Sequence, residues 1–186
     1  MAEVWLVRHA ETQWSLQGRH TGRTDIALTE HGRSVAREMR ARVDDHDFAL
    51  VLVSPLHRAV ETAQLLGLGA AMTPCDDLLE WDYGDYEGIT SDQIHKRRPD
   101  WNLWRDGCPG GETADDLGAR ADRVLDRVRE ADGDVALVAH GHILRVVAAR
   151  WVGQPGAFGG RIALATGSLS VLGFERDAQV IARWNT

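Results

Sequence analysis

Three short segments concentrate the side chains that could bind an anion and react with it. Arg8-His9 closes the apolar run Val4–Val7, Arg58 follows soon after Ser54-Pro55, and His140-Gly141-His142 closes the run Val135–Ala139. Guanidinium forks match the oxygens of a phosphate group and keep their charge near neutral pH. A phosphate monoester carries close to two negative charges, so its pocket needs several fixed cations or backbone N–H donors, and Arg8 and Arg58 answer that need. Taken singly, each arginine reads most simply as a surface ion pair, and His9 as a packed structural histidine. Their common placement at the ends of apolar runs favours one shared anion site. A neutral imidazole is also a competent nucleophile near pH 7, so a histidine beside two arginines suits covalent transfer of an anionic group. By residue type alone His9, His140 and His142 would make a three-histidine metal set. Two arginines beside them would repel a divalent cation, and no metal is expected.

The elements that must hold these side chains follow from patterning. Val4–Val7, Ala49–Val53 and Val135–Ala139 read as short buried strands. Thr29 is expected to cap a helix with Val35, Met39 and Val43 on its buried stripe, at i, i+4 and i+8. Ser54 as N-cap with Pro55 at the first helical position predicts a helix over Leu56–Leu66, with Arg58 in its first turn, where the helix dipole favours an anion. Thr113-Ala-Asp-Asp116 matches a capping box with Asp for Glu, opening a helix with Leu117, Ala121, Val124 and Val128 on one face. A further helix after His140-Gly-His142 carries Leu144, Val147, Ala148 and Trp151 in register, and Ser168–Phe174 with Gln179–Trp184 read as a hairpin turning at Asp177-Ala178.

Strands alternating with helices predict an α/β fold: a three-layer sandwich with a mostly parallel central sheet flanked by helices, residues 1–186 forming one domain. In such sheets ligands sit beyond the carboxyl ends of the strands, where all three chemical segments fall. The stretch from about 89 to 111 mixes polarities, with Lys96, Arg97 and Arg98 together and Trp101 and Trp104 nearby. It is expected to be a short cap over the site, in which Tyr86, Trp101 and Trp104 either shape the pocket or pack the cap.

Hydrophobic residues at 44% can fill a core, and Lys+Arg of 21 against Asp+Glu of 28 leaves a net charge of −7. That balance argues against nucleic acid or an anionic membrane as partner, because both need a basic face. The opening Met1-Ala2-Glu3 lacks the basic start and apolar stretch of a signal peptide, so the expected location is cytoplasmic. Cys75 and Cys108 have no metal or redox spacing and are expected to be free thiols.

Leu6-Val7-Arg8-His9-Ala10-Glu11-Thr12 resembles the R-H-G-E-T signature of the histidine phosphatase (phosphoglycerate-mutase-like) superfamily, with Ala10 in place of the usual Gly. The resemblance continues along nearly the whole chain. Gln17–Asp25 followed by Leu28–Gly32 is similar to the family's substrate loop and first helix start, and Ser54–Ala63 resembles its S-x-x-x-R-A-x-x-T-A element. Leu79–Gly84 with Tyr86-Glu-Gly88 resembles its acid-bearing loop, and Val138–Arg145 the segment with its second histidine.

Carried over residue by residue, the resemblance implies that His9 is a nucleophile and that Arg8, Arg58 and His140 bind the transferring phosphoryl group. It implies that Glu80 protonates the leaving oxygen and later activates water, with Asp82 and Asp85 as nearby rivals. Such an acid would be protonated at rest and favour mildly acidic pH. Thr21 and Gly22 lie where the family's loop contacts substrate, Ser15 stands where many members have Asn, and Gly141 and His142 adjoin the second histidine, with His142 either on the substrate or packed at the helix start. No cofactor is implied. His20 is a candidate pocket lining, whereas His31, His46, His57 and His95 are expected on the surface. The short cap favours hydrolysis over phosphoglycerate-mutase-type isomerisation, and the stretches 81–88 and 104–113 resemble a branch of sugar bisphosphatases and broad acid phosphatases. The expected partner is a small phosphorylated substrate such as a sugar phosphate. A non-catalytic phospholigand-binding module is the alternative of another class, and a homodimer beside the pocket is compatible with the sequence.

Overall fold

The computed structural model describes residues 2–186. Its strands are β1 (Val4–Arg8), β2 (Leu50–Val53), β3 (Met72–Pro74), β4 (Val135–Ala139), β5 (Leu169–Glu175) and β6 (Ala178–Arg183), in the sheet order β3-β2-β4-β1-β5-β6. Strands β3, β2, β4 and β1 pair in parallel, and the hairpin β5–β6 adds on antiparallel beside β1. The helices are α1 (Gln13–Leu16), α2 (Glu30–Met39), α3 (His57–Leu65), α4 (Ser91–His95), α5 (Leu103–Asp106), α6 (Ala114–Glu130) and α7 (Gly141–Trp151). This is the expected α/β sandwich.

Alternation along β1 explains the layering. Val4 and Leu6 join a core with Leu125 of α6 and Ile143 and Val147 of α7, whereas Trp5 and Val7 face Met39 of α2 and Ala59 and Ala63 of α3. Strand β4 is buried along its whole length, as a parallel strand covered on both faces must be. Each fully buried Leu or Val there contributes about 1.5–3 kcal/mol of burial.

Several sequence expectations shift in register. Thr29 does cap α2, accepting from Gly32 N at 2.9 Å, and Met39 and Val43 are buried as expected, Val43 just past the helix end, but Ala36 is buried where Val35 is only half-buried. Thr113 and Asp116 form the capping box of α6, and Leu117, Ala121, Val124 and Val128 are buried. The cap on α3 differs from expectation. The helix starts at His57 rather than with Pro55, and its first amide donates to the Asp25 carboxylate at 3.0 Å. The Ser54 hydroxyl lies 2.7 Å from His140 Nε2, reaches only Leu56 N at 3.5 Å, and gives α3 no side-chain cap. Strand β3, which patterning did not show, is a three-residue edge strand ending in Pro74, where a missing N–H does no harm. Cys75 and Cys108 are free and buried, and burial, aided by Asp82 and Glu87, pushes the Cys108 thiol up to about 12. Among the described residues no helix is long and apolar enough to cross a membrane.

Candidate active site

The sheet order puts β4 between β1 and β2, so three adjacent parallel strands end at one edge. Arg8 pairs with Ala139 and Val53 with Val138 in register, and the ladder runs on through His9 N to Ala139 O (2.9 Å) and Ser54 N to Val138 O (3.0 Å). His9, Ser54 and His140 therefore leave the sheet at the same level. Above them opens a cavity of about 400 Å³, within the range of small-molecule sites.

The hydrogen bonds define the state of each histidine. His9 Nδ1 lies 2.7 Å from Ala10 O, and a carbonyl can only accept. The proton is thus on Nδ1, and Nε2 keeps a free lone pair. Burial, with the charges of Arg58 and Arg8, pushes the His9 imidazole down to about 3, so it is neutral near pH 7. His140 takes the opposite tautomer: Arg58 Nε donates to its Nδ1 at 3.1 Å, so its Nε2–H points at Ser54 Oγ. Burial and Arg58 hold it well below the usual histidine range. The two rings stand 5.1 Å apart, steeply inclined.

Arg8 lines the cavity, with one guanidinium nitrogen on Leu164 O and Nε without a protein partner. A Cβ on Gly141 would lie 3.2 Å from Arg8 Cζ and Nε, so glycine leaves room for the guanidinium. Arg58 sits in the first turn of α3, as expected, and is fully buried. Its N–H groups reach His140 Nδ1, Thr24 O (2.9 Å), Thr21 O (3.1 Å) and Gly22 O (2.9 Å), and it does not line the cavity. Glu87 pins the same loop from the other side, accepting from Gly22 N at 2.9 Å and Thr24 N at 3.0 Å.

Glu80 lines the cavity at the N-terminus of α7. Its carboxylate accepts from the amides of Trp81 (3.0 Å), His142 (3.0 Å) and Ile143 (3.0 Å). Burial would raise its pKa, but hydrogen bonds and charge from the His142 side outweigh that and hold it well below the usual carboxylate range. The expectation of a carboxyl protonated at rest is corrected: the His142 side chain first, with the helix-terminal amides beside it, keeps it ionised.

The cavity brings Arg8, His9, Ser15, Thr21, Glu80 and His142 together. Gly22, Arg58, His140 and Gly141 sit behind its surface as support. The Ser15 hydroxyl closes a capping box with Thr12, accepting from Thr12 N at 3.0 Å. His142 stands between both readings made of it, since its ring lines the cavity while its amide holds Glu80. His20 lines the cavity as expected, and His95, exposed as expected, borders it as well. Patterning missed Tyr83, whose hydroxyl is 2.6 Å from His142 Nδ1, and the wall residues Arg19, Ser91 and Asn102. The Thr90–Gln93 capping box and the Asn102 N-cap were the available signals for that wall. Trp101, Leu103 and Trp104 line it too, so the 89–111 segment both packs and shapes the pocket. Among the described residues no three His, Cys, Asp or Glu side chains converge as a cation site.

The chain resembles known proteins over most of its length. The chain is 42% identical over 183 residues to an acid phosphatase of Mycobacterium tuberculosis, covering 95% of this chain and 89% of that one. It is 36% identical over 182 residues to sedoheptulose 1,7-bisphosphatase of Saccharomyces cerevisiae, covering 80% and 66%. The solved structure of an open reading frame product of Mycobacterium tuberculosis superposes with a TM-score of 0.93 at 39% identity, covering 99% of this chain and 97% of the other. The family model described as histidine phosphatase superfamily (branch 1) matches residues 4–186, and the chain belongs to that superfamily.

Proposed function

We propose that this chain hydrolyses small phosphate monoesters, sugar phosphates among them, through a covalent phosphohistidine on His9 and without a metal. The bond from His9 Nδ1 to Ala10 O carries the reading, because it aims an unprotonated Nε2 from a neutral ring that lines the cavity. Arg8 supplies fixed positive charge in the cavity, and Arg58 and His140 support it from behind. In the first step the His9 Nε2–P bond forms as the ester P–O bond breaks. A bound phosphate beside Glu80 raises the carboxyl pKa, so Glu80 takes up a proton from solution and passes it to the leaving oxygen. In the second step water attacks phosphorus, Glu80 recovers a proton from that water, and the P–N bond breaks to release phosphate and neutral His9.

Tyr83, Trp101 and Trp104 offer flat apolar faces beside the polar Ser91 and Asn102, which suits a polyhydroxylated body. Lys96, Arg97 and Arg98, the cap cations an isomerase would want over the site, line a separate cavity with Tyr86 and Ile94. Hydrolysis is therefore favoured over the mutase reaction.

A panel of phosphate esters assayed with EDTA, for wild type and His9→Ala, tests the reading. Wild type should release phosphate in chelator and trap acid-labile label on His9, while His9→Ala should lose at least about 10³-fold in rate. Equal release by both proteins, or label on another residue, would overturn it.

A further inference from the structure

The loop that bears Glu80 has few regular backbone partners of its own. It passes from a short 3₁₀ turn at Asp76–Leu78 into an irregular stretch, with Glu80, Trp81 and Tyr83 buried. Buried carbonyls and amides in such a stretch must find partners from elsewhere.

They find them in one ion pair, whose arginine is buried and whose carboxylate is partly so. Arg120, inside α6, donates to Asp77 O (2.8 Å), Leu79 O (2.7 Å) and Glu80 O (3.3 Å). The same guanidinium forks onto Glu112, with Nε to Oε1 and Nη2 to Oε2 both at 2.8 Å. Glu112 completes the hold on the far side of Glu80. Its Oε2 accepts from Asp82 N (2.8 Å), its carbonyl accepts from Trp81 Nε1 (2.9 Å), and its amide donates to Asp82 O (2.9 Å). The backbone is thus tied at 77, 79 and 80 by Arg120 and at 82 by Glu112, so Glu80 is anchored on both sides.

We propose that Arg120 and Glu112 are positioning residues for Glu80, setting where its carboxyl meets the leaving oxygen. Neither residue lines the cavity. The inference rests on the reading above that Glu80 handles the leaving-group proton. A lysine at 120 keeps the charge but not the planar fork that reaches carbonyls and carboxylate together. The carboxyl at 80 then loses its placement while His9 and Arg8, held by β1, keep theirs.

Leaving-group dependence separates positioning of an acid from general loosening. A p-nitrophenolate leaves without help, whereas an alkoxide such as that of glycerol phosphate needs a proton. The ratio of kcat/KM for the alkyl ester to that for the aryl ester reports the acid in the first chemical step. Arg120→Lys and Glu112→Gln, checked by circular dichroism and thermal melting, should each lower kcat/KM for the alkyl ester roughly 10–100-fold and for the aryl ester by less than about 3-fold, as a misplaced acid would. Glu80→Gln should shift the ratio in the same direction and further. If the two folded variants lose equally on both esters while Glu80→Gln shifts the ratio, the positioning role is overturned and the Glu80 reading stands. If Glu80→Gln leaves the ratio unchanged, the reading of Glu80 fails and this inference fails with it.

Discussion

His9 and His140 differ in which ring nitrogen carries the proton, and a single neighbour decides each case. A carbonyl at Nδ1 leaves His9 with a free Nε2, and an arginine at Nδ1 turns His140 into a donor toward Ser54. Residue types alone show two candidate histidines beside two arginines, and not which is the nucleophile by geometry. Glu80 is the sharpest case of a state invisible in the sequence, since the partners that hold it ionised, His142 first and then the Ile143 amide, lie 62 and 63 positions away at the start of α7. This bears on pH dependence. If Glu80 must carry a proton, its protonated fraction rises as pH falls, while His9 stays neutral down to about 3. The kcat/KM for an alkyl phosphate should therefore climb from pH 8 toward pH 5, and climb more steeply in wild type than in Glu80→Gln. Substrate ionisation is common to both proteins, so parallel profiles would remove Glu80 from the proton transfer.

Helix starts show how far local signals reach. Capping boxes at Thr12, Thr90 and Thr113 connect residues three apart, so sequence spacing is enough to read one of them. The start of α3 is not local. Ser54-Pro55 has the form of a cap, yet the serine hydroxyl faces His140 and Asp25 supplies the acceptor for the first helical amide across 32 positions. Asp25→Ala should uncap α3 at a cost of about 1 kcal/mol, seen as a drop in Tm of roughly 2–4 °C for a chain of this size. Asp25→Asn, which keeps an acceptor, should lose less. An unchanged Tm in the alanine variant would show that the Asp25 contact does not stabilise the helix.

At the scale of the fold, catalytic state and stability oppose each other in acid. His9, His20, His140 and His142 are all held below the ordinary histidine pKa, chiefly by burial. Between the lowered native value and the unfolded one near 6.5, the unfolded chain binds more protons, so stability falls as pH falls. Each such group can contribute up to about 1.4 kcal/mol per pH unit in that window. Glu80 acts on the same side, its stabilisation being present above the unfolded carboxyl value and lost as pH falls through the native one. Tm should be nearly flat above pH 7.5 and decline steadily from 6.5 to 4.5 in a calorimetric series. A flat profile across that range would mean these histidines are not neutral in the native state.

Periodicity and strand-end placement sufficed for the layers, the parallel core and the gathering of Arg8, His9, Arg58 and His140, because burial of alternating side chains and the reach of a βα turn are local properties. They did not reach the short edge strand at Met72–Pro74, the true cap of α3, the carbonyls of Thr21, Gly22 and Thr24 that hold Arg58 or the ionisation of Glu80. Each of those depends on partners distant along the chain, and such partners acquire positions only when the sheet closes and the helices dock on it.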